Sequence, residues 1–163
     1  MSDRKARAAK DAAAGIKIIA KNKRAWHEFE IKDTWEAGLV LLGTEVKALR
    51  NGRVNLGDSY GEIRNGEAWI LKMHIGPYEM GNRENHEPFR RRKLLLNRRE
   101  IRKILPKIEE RGLTLVPLKI YFKRGRVKLE VGLGKGKKIH DKRDSKAKKD
   151  VERRMAQELG RRS

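Results

Sequence analysis

The stretch Ser59-Tyr-Gly-Glu-Ile-Arg-Asn-Gly-Glu-Ala-Trp-Ile-Leu71 decides the fold of this chain. Its centre, Asn65-Gly66, supplies the two positive-φ residues that a two-residue type I′ turn requires, so the flanking runs are predicted to pair as a β-hairpin. A second hairpin is predicted over residues 118–131, with its turn near Arg124-Gly125. Two tight hairpins in one short chain favour an antiparallel sheet.

Further strands are predicted on both sides of the first hairpin. Residues 16–19 form a short apolar run, and Phe29 and Ile31 alternate with charged residues, as in a half-exposed strand. Residues 39–42 are apolar at consecutive positions, which predicts a strand that is buried on both sides or bends. No βαβ repeat is present, so the sequence predicts a small β-barrel of about five or six strands rather than a parallel α/β sheet.

Two helical regions are predicted between the strands. Residues 45–50 suit a short helix ended by Asn51-Gly52. Asn97 and Glu100 have the spacing of a capping box, and isoleucine and leucine follow at helical intervals. Because proline cannot donate a backbone hydrogen bond, Pro106 predicts a break between two short helices, the second ending at Gly112.

Composition divides the 163 residues into three parts. Residues 1–15 predict a disordered basic arm, residues 16–133 the folded barrel, and residues 134–163 a basic tail. The absence of cysteine excludes disulfides, cysteine-ligated metals and thiol catalysis. The sequence has neither an apolar run of about 20 residues nor a secretory signal, so we expect a cytoplasmic monomer with no membrane contact.

The charge points to a polyanionic partner. Lys and Arg number 42 against 22 Asp and Glu, a formal net charge of +20. The cations are spread over several segments instead of along one amphipathic helix, which favours nucleic acid over a membrane surface. Three clusters are candidate contacts to RNA phosphates: residues 21–27, residues 90–93, and a glycine- and lysine-rich segment, 132–138, which is interpreted as a flexible basic hinge.

Signatures of catalysis are weak. Segment 132–138 lacks the Ser or Thr of a nucleotide-binding loop, and the four histidines are far apart in the sequence. The sequence therefore predicts no metal, no cofactor and no enzyme activity. Glu36 has no basic residue within two positions, and a base-edge acceptor and a structural hydrogen bond remain equally open for it.

The tail carries one narrow apolar column. Ala147, Val151, Met155 and Leu159 lie four residues apart in an otherwise charged segment. So thin a column buries too little area to hold a helix on the barrel or alone. We therefore expect a tail that is disordered when free and becomes helical in a phosphate-lined groove.

The order of several motifs resembles the SsrA-binding protein (SmpB) family, with the resemblance running from about residue 16 to 155. The motifs are Gly43-Thr-Glu-Val-Lys-Ala-Leu-Arg50, Arg92-Lys-Leu-Leu-Leu-Asn97 and Lys135-Gly-Lys-Lys followed by His140-Asp-Lys-Arg143. The resemblance implies an OB-fold barrel that binds the tRNA-like domain of transfer-messenger RNA. It also implies a tail that probes the empty mRNA channel of a ribosome stalled on a message without a stop codon, so that the nascent peptide is tagged by trans-translation.

The resemblance also implies site residues and partners. The expected RNA contacts are Asn22, Lys23, Arg24, His27, Glu36, Leu96, Asn97, Lys119, Tyr121 and Lys128. The expected contacts at the decoding centre and in the mRNA channel of the small subunit are Lys135, Gly136, Lys137, Lys138, His140, Asp141, Lys142, Arg143, Val151 and Met155. Elongation factor Tu and alanyl-tRNA synthetase are implied as indirect partners. The alternative from the residues alone is a basic ribosomal protein or RNA chaperone, with a small nuclease as a remote third.

Overall fold

The computed structural model describes residues 5–7, 9–10, 14–137 and 151–156. The strands are β1 Ile16–Lys21, β2 Phe29–Leu39, β3 Val54–Asn55, β4 Tyr60–Arg64, β5 Glu67–Leu71, β6 His74–Ile75, β7 Arg92–Leu95, β8 Thr114–Lys123 and β9 Arg126–Gly136. The helices within the barrel region are α1 Lys23–Glu28, α2 Gly43–Arg50, a 3-10 helix over Glu79–Glu84, and α3 Arg98–Arg111.

Six antiparallel strands close on themselves. Their order is β8-β4-β5-β7-β2-β9, and β9 pairs again with β8, while β1 extends the sheet beside the second half of β8. A Cβ on Gly61 would lie 2.5 Å from the side chain of Leu115, so only glycine permits the approach of β4 to β8 that closes the ring. The prediction of a mainly β, OB-fold-like barrel with peripheral helices is confirmed.

The barrel interior holds the main hydrophobic core. Its buried side chains come mainly from the strands, and the helices contribute Ala48 and Leu49 of α2 and Ile104 of α3. Ile70, Leu94, Leu115, Leu129 and Leu133 are among the strand residues in this core. The helices therefore pack on the barrel through narrow apolar faces and leave their charged faces outside.

Both hairpins form as predicted. Asn65 and Gly66 have φ of 53° and 76°, and Arg124 and Gly125 have φ of 51° and 81°. The prediction of a strand over residues 39–42 is wrong beyond Leu39, because β2 ends there and the next residues are irregular. Val40 and Leu42 are 46% and 49% exposed, whereas Leu39 and Leu41 pack against the core, so only alternate residues of this run face solvent.

The predicted break at Pro106 is also wrong. α3 runs without interruption from Arg98 to Arg111, with Pro106 inside it and exposed to solvent. The carbonyl that proline leaves without a helical donor, that of Arg102, lies on the same outer side, where water can satisfy it. Asn97 begins the helix and Gly112, with φ of 63°, ends it, as the sequence indicates.

Strand β9 is longer than the sequence predicts. It pairs with β2 as far as Gly136, with Glu30 opposite Lys135. The segment interpreted as a flexible hinge is therefore part of the sheet up to this residue, since Gly132 and Gly134 leave room for Ile31 and Phe29 of β2. The expected boundary of the barrel at residue 133 accordingly lies three residues too early.

The terminal segments are described only in part. Residues 5–7 and 9–10 are helical and exposed, in agreement with the high helix propensity of alanine, lysine and arginine, and disorder of the arm over residues 1–15 stays a prediction. Residues 151–156 are likewise helical, with every side chain exposed.

Candidate nucleic-acid interface

Charged and aromatic side chains cover the outer face of β2, β8 and β9. The strand register places Lys119 opposite Glu130, and Glu130 opposite Glu36, so these residues form one row across three strands. The adjacent row contains Tyr121 opposite Lys128. We call this surface the strand patch, and define it by Glu36, Lys119, Tyr121, Lys123, Lys128 and Glu130.

Glu36 is the centre of the strand patch. The Tyr121 hydroxyl donates to Glu36 Oε2 at 2.5 Å, and Lys123 Nζ lies 3.3 Å from both carboxylate oxygens. Partial desolvation raises the pKa of Glu36, but the hydrogen bonds from Tyr121 and Lys123 outweigh it, so the pKa lies below its usual value. Burial, together with the bond to Glu36, raises the pKa of Tyr121, which keeps the phenol protonated. The carboxylate is thus held ionised with one edge open to solvent.

Tyr121 differs from the sequence expectation of a direct RNA contact. It is only 3% exposed, and Lys119 Nζ lies 5.4 Å from the centre of its ring. In this position Tyr121 orients Glu36 and supports Lys119. Lys119, which pairs with Glu130 at 3.3 Å, and Lys128 are both half-exposed. The sequence left two roles open for Glu36, a base-edge acceptor and a structural hydrogen bond. The structure contains the structural hydrogen bond, to Tyr121.

Helix α1 adjoins the strand patch. Lys21, which precedes it, pairs with Lys119 of β8. Asn22 is buried, and its side chain donates to Pro117 O at 2.8 Å and accepts from Ala25 N at 3.2 Å. Because Asn22 caps α1 and ties it to β8, the structure gives it a scaffolding position rather than an open RNA-facing one.

The outward residues of α1 carry its cations. Lys23 and Arg24 are exposed, and His27 is half-exposed. Arg24 is oriented by two acidic neighbours, Glu28 at 2.8 Å and Asp58 at 3.1 Å. These ion pairs are exposed and therefore contribute little to stability. They hold the guanidinium in place without burying it.

The end of β7 extends the same surface. Leu95 pairs with Gly38, whose missing side chain leaves the Leu95 side chain packed over β2 and 53% exposed. Leu96 follows, half-buried against the core, and then exposed Asn97. Since Gly38 also pairs with Lys128, the strand patch runs continuously to the start of α3.

The end of β9 lies beside α1. The Lys137 backbone N–H donates to Glu28 O at 2.9 Å, and its Nζ lies 3.3 Å from Trp26 O. Lys135 and Gly136 are exposed just before it. The chain therefore leaves the barrel from a point fixed to α1, next to Trp26, whose side chain is 55% exposed.

Several predicted tail contacts lie outside the described residues, namely Lys138, His140, Asp141, Lys142 and Arg143. Val151 and Met155 are described, at 49% and 60% exposure on a helical segment. Their spacing of four residues places them on one side of that helix. About half of each of these apolar residues is therefore accessible to solvent.

The basic cluster at 90–93 is not a free phosphate site, in contrast to the prediction. Arg92 is fully buried, bonds the buried carboxylate of Glu45 and donates to Met73 O at 2.6 Å. Arg90 bonds the same carboxylate at 2.5 Å. Burial raises the pKa of Glu45, but these hydrogen bonds and one from the Leu42 N–H outweigh it and keep the group ionised.

The other two members of the cluster are engaged too. Arg91 lies 4.9 Å from the centre of the Trp69 ring, and Lys93 pairs with Glu67 at 3.1 Å. The sequence shows the high density of positive charge in this cluster, but not that Glu45 and Glu67 lie beside it in the folded protein.

The described residues contain neither a metal-binding cluster nor a membrane-spanning helix. Within residues 14–137 and the short helical segments, no three acidic or histidine side chains converge as metal ligands. None of the helices described is both long and apolar enough to span a bilayer.

Comparisons with known proteins indicate the family of this chain. Residues 19–161 match the family model described as SmpB protein. A protein of Carboxydothermus hydrogenoformans named SsrA-binding protein is 57% identical over 143 residues, covering 88% of this chain and 96% of the relative. SsrA-binding proteins of Desulfitobacterium hafniense (strain Y51) and Geobacter sulfurreducens are 54% and 55% identical over 88% and 89% of this chain, and 92% and 95% of their own.

A chain in a solved structure is similar in fold as well. That structure is described as "tmRNA-SmpB: a journey to the center of the bacterial ribosome". The two chains share 48% identity with a TM-score of 0.63, over 77% of this chain and 87% of the other. The family model matches most of the chain, the relatives are more than 50% identical to it, and the fold is an antiparallel barrel with this surface. The chain therefore belongs to the SmpB family of SsrA-binding proteins.

Proposed function

We propose that this protein binds the tRNA-like domain of transfer-messenger RNA and brings it to ribosomes stalled on mRNA without a stop codon. The observation that carries the proposal is the continuous surface from α1 across the strand patch to Asn97, in a chain whose relatives are named SsrA-binding proteins. Lysines and Arg24 supply phosphate contacts, and the outward edge of Glu36 accepts hydrogen bonds from base edges. Among the implied residues, Asn22 and Tyr121 act by positioning these groups.

The tail supplies the second half of the proposal. Residues 138–163 enter the mRNA channel of the small subunit, with the start of the tail at the decoding centre. A channel that holds mRNA excludes a basic helix, whereas an empty one offers RNA phosphates and the release of their counterions. The exposed side chains of Val151 and Met155 support this proposal, because these two members of the apolar column are accessible to a partner. The chain is an adaptor, and the bond-forming chemistry belongs to the ribosome.

The remaining partners act through the RNA. Alanyl-tRNA synthetase charges transfer-messenger RNA and elongation factor Tu carries it, so both meet this protein indirectly. A nonspecific RNA chaperone would share the charge but not the preference for one RNA fold.

Two measurements test the proposal. In the first, full-length protein is titrated with the tRNA-like domain, with an ordinary tRNA and with an unstructured RNA of equal length. We expect at least a tenfold preference for the tRNA-like domain, and equal affinities would favour the chaperone instead.

The second measurement uses a chain ending at Lys137, since β9 and its contact to α1 are then intact. It is compared with a full-length variant whose residues 138–163 are shuffled, which keeps the tail charge and destroys the apolar column. We expect both variants to bind the tRNA-like RNA and neither to support tagging on a non-stop message. Loss of RNA binding in both would contradict the division of labour between barrel and tail.

A further inference from the structure

Helix α3 carries a group of cations that the described protein leaves uncompensated. Arg98, Arg99, Arg102 and Lys103 are all exposed and make no ion pair with any residue that the structure describes. At 3.6 residues per turn they occupy one face about 140° wide. The cluster at 90–93 also holds four cations, but three of them pair with Glu45 or Glu67 and only Arg91 has no acidic partner, so α3 carries more unpaired positive charge.

The opposite face fixes the orientation of these cations. Ile104 is fully buried in the barrel core and Ile108 packs against it. Lys107 Nζ bonds Asp33 Oδ2 of β2 at 2.8 Å, and the Asn97–Glu100 capping box holds the first turn. A ligand therefore meets a preorganised surface and orders only the side chains themselves.

The charge on the outer face of α3 changes sign along the helix. Its first two turns are basic, whereas Glu109 and Glu110 are exposed on the same face at the last turn. The basic half begins at Asn97, where the surface running from the strand patch through Leu95 ends. An anionic strand that crosses the strand patch is thus directed onto the first half of α3 and away from the second.

We propose that Arg98, Arg99, Arg102 and Lys103 bind the sugar-phosphate backbone of the tRNA-like RNA held at the strand patch. This inference rests on the proposed function and adds a contact region to it. The pairs 98–99 and 102–103 are separated by about 6 Å along the helix axis, which matches the step between consecutive phosphates of one strand. Contacts of this kind supply affinity and orientation but no sequence discrimination.

Salt dependence provides the test, because removing one phosphate-binding cation lowers the slope of log K against log salt by about 0.7 to 0.9. The probe is the transcribed tRNA-like domain, titrated from 50 to 200 mM salt with full-length protein. The variant is R98Q/R99Q/R102Q/K103Q, since glutamine retains helix propensity. The matched control is K17Q/K47Q/R50Q/R64Q, which removes four exposed cations that lie outside the strand patch and α3.

We expect the α3 variant to lower the magnitude of the slope by about 3, so that the affinity of the wild type falls about 60-fold more than that of the variant over this salt range. The control should change the slope by less than 1. A charge-retaining variant, R98K/R99K/R102K, should restore the wild-type slope, because phosphate needs charge rather than the planar arginine fork. E109Q/E110Q should raise affinity.

Equal slopes for the α3 variant and the control would overturn the inference, as would a failure of the lysine variant to rescue. So would unchanged binding of the tRNA-like RNA together with weakened binding to ribosomes, which would place the contact on ribosomal RNA. If wild-type protein shows no preference for the tRNA-like RNA, it is the proposed function that fails. A thermal melt of each variant confirms that α3 is folded.

Discussion

Substitution of Asn97 separates a role in folding from a role in RNA binding. Asn97 Oδ1 accepts the Glu100 N–H at 2.9 Å, and Glu100 Oε1 accepts the Asn97 N–H at 3.0 Å. The side-chain amide Nδ2 has no bond to any residue that the structure describes and faces solvent. Asn97→Ala removes both the cap and the free donor, whereas Asn97→Ser keeps a cap acceptor and removes only the donor.

The expected magnitudes follow from these contacts. Loss of the cap in Asn97→Ala costs about 1 kcal/mol of unfolding free energy, and Asn97→Ser costs a few tenths. Both substitutions remove one hydrogen bond to RNA, worth about 1 kcal/mol, or roughly a fivefold weaker affinity. The two variants should therefore differ in stability and agree in RNA affinity.

Urea denaturation measures the first quantity and fluorescence anisotropy with the tRNA-like RNA the second. Asn51→Ser is the matched control, because Asn51 is exposed at the end of α2 and uses its backbone N–H, not its side chain, at the cap. Equal destabilisation by Ala and Ser would refute the capping argument. Wild-type affinity in both would show that Asn97 is a structural cap without an RNA contact.

Three further outcomes are expected. Glu45→Gln leaves buried Arg92 without its counter-charge. Urea titrations should show the unfolding free energy lowered by about 3–5 kcal/mol. A loss below about 1 kcal/mol would mean that water readily enters the site and solvates Arg92. The pKa values of Glu36 and Glu45 are lower in the folded protein than the unfolded value of about 4.3, so their ionised carboxylates stabilise the fold above that pH, and this stability is lost as pH falls through the folded values. Glu36→Gln should therefore flatten the decline of melting temperature below about pH 4.3. An unchanged decline would contradict a stabilising role for the Glu36 carboxylate. Lys107→Ala breaks a half-exposed ion pair and should change stability by less than about 1 kcal/mol, with a larger loss showing that α3 depends on this tether.

Local rules account for much of the fold. The Asn65-Gly66 turn, the capping box at Asn97 and the end of α3 at Gly112 depend on backbone conformations available to only a few residue types, so the sequence specifies them directly. The excess of positive charge likewise predicts an RNA partner without any coordinates.

Long-range packing decided what those rules missed. Pro106 continues a helix because the barrel orients it to the solvent side, and Lys135 joins a strand because β2 provides its partners. Arg92 is a core residue and Arg98 a surface one although both lie in basic runs, since only the tertiary structure brings Glu45 to the first and no acid to the second. Composition thus fixed how much charge the molecule carries, and folding chose which of those charges remain free to meet RNA.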